Sequence, residues 1–108
     1  MLYTDFTAGN KQYRLRLNTR AIVTLEKQLG CNPVAIFGDG DTIPTITTMV
    51  QILHAAMQQY EHNITLDAAF NIFDDWLEDG NSATDFIPVI LEIYKASGII
   101  KGDTEKNQ

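Results

Sequence analysis

Apolar and polar residues change rhythm once along this chain, close to Asn18. Before that point Tyr13, Leu15 and Leu17 alternate with Arg14 and Arg16, the two-residue period of a strand with one buried face. Leu2 to Phe6 is also β-like, and Ala8-Gly9-Asn10 between the two runs is a turn signal, so residues 2–17 are expected to form a β-hairpin. Two strands alone are marginal in water, and the hairpin's apolar face must therefore lie on the segments that follow.

After Asn18 the apolar spacing becomes three and four. Ile22, Leu25 and Leu29 share one face of a helix expected over about 19–30, with Asn18 or Thr19 as its cap and Gly30 where a left-handed residue ends it. Pro33 can open a short helical turn through Phe37, because a first-turn residue has no use for its N–H. Gly38-Asp39-Gly40-Asp41 ends that turn and, with its glycines and like charges, is expected to be a mobile loop. A central helix is expected over 44–60 on the stripe Ile46, Met49, Val50, Leu53, Ala56, Met57 and Tyr60. Thr65 looks like the cap of a helix over 65–79, with Ala69, Phe70, Phe73, Trp76 and Leu77 as its stripe and Gly80 as its stop. A last helix over 82–97 carries Phe86, Ile90, Ile93 and Tyr94, with Pro88 early enough to be tolerated. The wholly polar stretch 101–108 reads as a flexible tail. The expected fold is α+β but mainly α: an N-terminal β-hairpin packed on a bundle of about four helices, in a single domain over 1–100.

Composition fits one such domain: the chain has 108 residues, of which 44% are hydrophobic and 20% charged. Its net charge of -6 argues against nucleic-acid binding, which rests on Lys and Arg neutralising phosphates. The charges are also segregated. Lys11, Arg14, Arg16, Arg20 and Lys27 lie early, whereas every Asp, Glu, Lys or Arg from Asp39 to Glu92 is acidic. Cys31 is the only cysteine, so no internal disulfide can form and a reducing compartment is expected. The N-terminal run MLYTDFTAGNKQYRLRL lacks the features of a secretory signal, and no apolar run approaches the roughly 20 residues that span a bilayer. A cytoplasmic protein without membrane function is the expectation.

The residues offer no catalytic, cofactor-binding or metal-binding set. Asp39-Gly40-Asp41 begins like a calcium loop, but the sixth position from Asp39 is Pro44 where Gly is needed, and the twelfth is Val50 where a bidentate Glu is needed. His54 and His62 are too far apart along the chain to pair as helix-borne ligands, and Cys31 has no Cys-x-x-Cys partner and reads as a small apolar filler. Glycine-rich phosphate loops are absent. What remains is the run Phe73, Asp74, Asp75, Trp76, Glu78 and Asp79. Its acids lie near a helix C-terminus, where the helix dipole disfavours them. Charge runs are commonly just solvated faces, but the alternative is a protein-binding patch for a basic segment, with Trp76 beside Phe73 or Leu77 as an exposed aromatic anchor.

Several stretches together resemble one family. Tyr13-Arg14-Leu15-Arg16-Leu17-Asn18-Thr19-Arg20-Ala21-Ile22, Leu25-Glu26-Lys27-Gln28-Leu29-Gly30 and Asn32-Pro33 resemble the opening of siphophage tail assembly chaperones from phages and prophages of Gram-positive bacteria. Ile52 to Gln58, Ile64-Thr65-Leu66-Asp67 and Asp75 to Gly80 continue the likeness, which covers most of the chain from Tyr13 to Gly98. The resemblance implies a small helical chaperone of the host cytoplasm, absent from the mature virion. Such a protein keeps the tape measure protein soluble and helps recruit tail tube protein subunits around it. It also implies that this chain is the shorter of two frameshift-related products, and it carries over no catalytic residue. The competing reading is a minor structural or connector protein retained in the phage tail. Self-association, including a weak homo-oligomer, stays open.

Overall fold

A computed structural model describes residues 2–38, 40 and 42–102. The first element is set by its turn. Gly9 and Asn10 both have positive φ, 58° and 67°, which makes a two-residue hairpin loop whose twist matches that of the flanking strands. Strands β1 (Thr4–Ala8) and β2 (Lys11–Leu15) pair antiparallel around it, with Ala8 opposite Lys11, Phe6 opposite Tyr13 and Thr4 opposite Leu15. This register places Phe6, Ala8, Tyr13 and Leu15 on one buried face. The hairpin expected over 2–17 is present, though its strands sit closer to the turn than Leu2–Phe6 and Gln12–Leu17.

Beyond β2 the chain is sewn onto the helices. The Arg16 N–H donates to the Ala56 carbonyl at 2.9 Å, and the Leu17 N–H donates to Ser97 Oγ at 2.8 Å. Helix α1 (Thr19–Leu29) then starts at Asn18, whose side chain accepts from the Ala21 N–H, and stops at Gly30 with φ 73°. A 3-10 turn spans Pro33–Phe37. Helix α2 (Ile46–Met57) is capped by Thr45, so Pro44 lies just outside the helix, and helix α3 (Leu66–Glu78) is capped by Thr65. A second 3-10 turn, Ala83–Asp85, leads into α4 (Phe86–Ser97), which ends at Gly98 with φ 81°. The expected flexible tail falls largely on residues 103–108, and the expected mobile loop partly on Asp39 and Asp41; these lie outside the described residues.

Helix α2 is the centre of the domain. It packs on α1, α3, α4 and β2, and Met49, Val50, Ile52, Leu53, Ala55, Ala56 and Met57 are all buried. A helix with neighbours on most sides has no single stripe, which is why Ile52 and Ala55 are buried although they fall off the predicted face. Ile46, at the head of that face, is half exposed because the helix begins there, beyond the packed core. The hairpin enters the core through an aromatic cluster. Phe6 lies 5.7 Å from Trp76 and 6.0 Å from Phe86 between ring centroids, and Phe73 lies 5.3 Å from Phe86. These separations suit tilted and edge-to-face packing, worth about 0.5–1.5 kcal/mol per pair beyond burial.

Arg14 on the outer face of β2 stacks over Tyr3 and Tyr60, at 5.2 and 5.8 Å, fastening the hairpin to the segment after α2. Cys31 is exposed and so does not fill the core as its sequence context suggested; Pro33 two residues later is buried in its place. The carbonyl of Pro33 accepts a hydrogen bond from the buried Tyr94 hydroxyl at 2.9 Å, which ties the first 3-10 turn to α4.

Burial, and secondarily the nearby Cys31, pushes the Tyr94 phenol well above its ordinary value of 10.0. A phenol whose ionisation is suppressed by folding stabilises the fold fully below that ordinary value and loses its contribution as pH rises past it. Tyr94→Phe is therefore expected to cost about 1 kcal/mol at neutral pH through the lost hydrogen bond. The variant should also lose less stability than the parent as the pH is taken above 10.0. Urea unfolding followed across that range checks both.

Candidate docking face

The predicted protein-binding run lies along α3, and the fold divides it by helical rotation. Ala69, Ile72, Phe73 and Trp76 turn inward and are buried. Trp76 is only 6% exposed and Phe73 only 2%, so neither is the surface anchor that the sequence suggested. The reason is tertiary: α3 alone could not bury both rings, but Phe6 from the hairpin and Phe86 from α4 close over them. Phe70, expected in the stripe, is 37% exposed instead.

The acids divide as well. Asp79 reaches the hairpin turn, where its Oδ2 accepts the Gly9 N–H at 2.8 Å. Asp75 packs against the same turn: a Cβ placed on Gly9 would stand 3.2 Å from the Asp75 side chain. Together with burial and Glu61, this carboxylate also helps raise the pKa of Tyr13, the strongest cause being burial. Asp75 and Asp79 thus help seat the hairpin. Asp74 and Glu78 point the other way and share the solvent face with Asp67.

On that outer face Leu66, Phe70 and Asp74 follow one another at four-residue spacing, alongside Asp67 and Glu78. Leu66 is 39% exposed. The result is an apolar pair at the N-terminal half of α3 bordered by three carboxylates. None of those carboxylates makes an ion pair with a described residue, and the last turn of the helix holds no basic residue. Asp67 lies in the first turn, where the helix dipole favours it, whereas Asp74 and Glu78 lie in the C-terminal half, where they repel one another and oppose the dipole, a cost that a bound cationic segment would relieve. Leu66, Asp67 and Phe70 join the candidate face only in the structure, because a sequence stripe cannot tell which edge of a helix its neighbours will cover. Thr65 as N-cap was the available signal, since it places Leu66 in the first turn, where little packs.

Among the described residues no three of His, Cys, Asp and Glu converge as metal ligands. His54 donates from Nε2 to the Ile64 carbonyl at 3.0 Å, since a carbonyl can only accept, and this links α2 to the loop before α3. Among the same residues, no helix is long and apolar enough to cross a membrane.

Compared with known proteins, residues 4–108 match the model of a family of unknown function, DUF6096. The chain belongs to the DUF6096 family. No curated protein and no solved structure matches it. The DUF6096 match spans the hairpin, all four helices and the α3 face described above.

Two kinds of substitution on α3 should behave differently. Trp76→Ala is expected to cost about 3–5 kcal/mol as a core deletion, whereas Phe70→Ser is expected to cost no more than about 1 kcal/mol. Denaturant unfolding of both variants distinguishes core from face. Gly9→Ala combines a positive φ of 58° with contact against Asp75, and should lower stability by about 1 kcal/mol or more, beyond the effect of Asp79→Asn in the same assay.

Proposed function

We propose that this DUF6096 chain is a phage tail assembly chaperone, a binding protein of the host cytoplasm that holds the tape measure protein and helps bring tail tube subunits to it. The observation that carries the binding role is the outer face of α3, where exposed Leu66 and Phe70 sit among the unpaired carboxylates of Asp67, Asp74 and Glu78. The family resemblance of the sequence supplies the client.

A long helical client presents apolar stripes that aggregate when uncovered, and a helix face with apolar anchors covers them by side-by-side packing. Acids at the margin favour client segments bearing Lys or Arg and speed their encounter, while contributing less to the lifetime of the complex. That balance suits a holder, because the client must leave when the tube grows around it. Two exposed apolar anchors give weak contacts, and several chaperones along one client give strength through number.

Co-expression tests the reading. The tape measure protein encoded with this chain is expected to move from the insoluble to the soluble fraction when the two are produced together. The paired substitutions Leu66→Ser and Phe70→Ser should abolish that rescue while leaving the free protein folded, its thermal midpoint lowered by no more than about 10 °C, as a combined cost of up to about 2 kcal/mol implies. A client that precipitates equally with and without the chain defeats the proposal. Mass spectrometry of purified virions bears on the same point: a chaperone is missing from the particle, and a tail connector is present at fixed copy number.

A further inference from the structure

A cleft of about 330 Å³ lies between α1 and the C-terminal end of α2 and is lined by no residue of α3. Its volume falls at the small end of the range of about 300–1,000 Å³ typical of small-molecule sites. Helix α1 supplies Arg20, Thr24 and Gln28 along one wall, with Asn18 at its cap. The end of α2 supplies His54 and Gln58, and the short side chains of Ala21 and Ala55 leave apolar space between the walls.

The polar groups of the two walls are in different conditions. On the α2 side His54 and Gln58 are committed: His54 Nε2 donates to the Ile64 carbonyl at 3.0 Å, and Gln58 Nε2 donates to the His54 carbonyl at 3.0 Å and the Ile64 carbonyl at 3.4 Å. These bonds make a fixed wall. On the α1 side Arg20, Thr24 and Gln28 make no side-chain hydrogen bond or ion pair with any described residue. No carboxylate lines the cleft, in a chain whose net charge is -6. The first turn of α1 adds N–H groups beyond the one that Asn18 satisfies, and these favour negative charge at this end.

We propose that this cleft binds a small organic carboxylate, with the guanidinium of Arg20 on the carboxylate and the carbon skeleton against Ala21 and Ala55. A guanidinium's planar fork matches a carboxylate with two parallel hydrogen bonds. One cation balances one carboxylate. A phosphate dianion would leave a charge unbalanced in a molecule that is already acidic. The site is independent of the α3 face, and its failure would leave the chaperone reading untouched.

The test is an amide-resolved NMR titration of the full chain with butyrate, its neutral isostere butyramide, and inorganic phosphate. Butyrate is expected to produce saturable shifts confined to Arg20, Ala21, Thr24, Ala55 and Gln58, and butyramide at equal concentration none. Arg20→Gln should weaken butyrate at least about tenfold, as loss of a charge-assisted hydrogen bond requires, with an unchanged thermal midpoint. Any of three results overturns the proposal: no saturable shifts with butyrate, equal shifts with butyramide, or butyrate binding that survives Arg20→Gln. Tighter binding of phosphate than of butyrate would also overturn the assignment to a carboxylate.

Discussion

A two-stranded hairpin cannot keep its strands paired in water by itself, and the architecture of this chain turns on how that hairpin is buried. Phe6, Tyr13, Leu15 and Leu17 give it an apolar face, and the Phe6 ring enters a cluster with Phe73 and Trp76 of α3 and Phe86 of α4. Three separate elements therefore share one knot of rings. Hydrogen bonds at the ends of the hairpin hold it in place, from Gly9 to Asp79 at the turn and from Arg16 and Leu17 to α2 and Ser97 at the base. A helix facing the hairpin has little rotational choice once two of its aromatics belong to that knot.

That lost freedom also shapes the exterior. With Phe73 and Trp76 turned inward, helical geometry leaves Leu66 and Phe70 at the margin and sends Asp67, Asp74 and Glu78 outward. Asp75 and Asp79 fall on the opposite margin, beside the hairpin turn, where a backbone N–H offsets one of the charges. Burial of the aromatics and presentation of the acids are thus two consequences of one rotation. The uncompensated charge stays on the side where no other described part of the chain is packed, and that is the side on which a partner of opposite charge would gain most.

The docking role proposed for this face needs neither a deep pocket nor an activated side chain. The α3 face pairs two half-exposed apolar residues with unpaired carboxylates, which suits contacts that form and release readily. The α1 and α2 cleft has a different character: it is small, and it sets the exposed polar side chains of Thr24 and Gln28 beside one arginine. The two lie on different helices and differ in charge, so in the proposed reading an acidic surface for a macromolecule and a basic recess for a small ligand coexist without either disturbing the core.

The architecture was legible in the chain because its signals are local. The change of period at Asn18, the caps at Asn18 and Thr65, and the stops at Gly30, Gly80 and Gly98 each depend on a few neighbouring residues, and the hairpin and four helices follow from them. The acidic run on α3 was legible for the same reason. Which of its residues face outward was not, because the stripe of α3 is wide and only the arrival of Phe6 and Phe86, from distant parts of the chain, closes over Trp76 and leaves Phe70 uncovered. The exposure of Cys31 and the gathering of Arg20 with His54 and Gln58 were likewise invisible in sequence order. Local backbone chemistry determined the elements; packing between segments far apart in sequence decided which side chains water can reach.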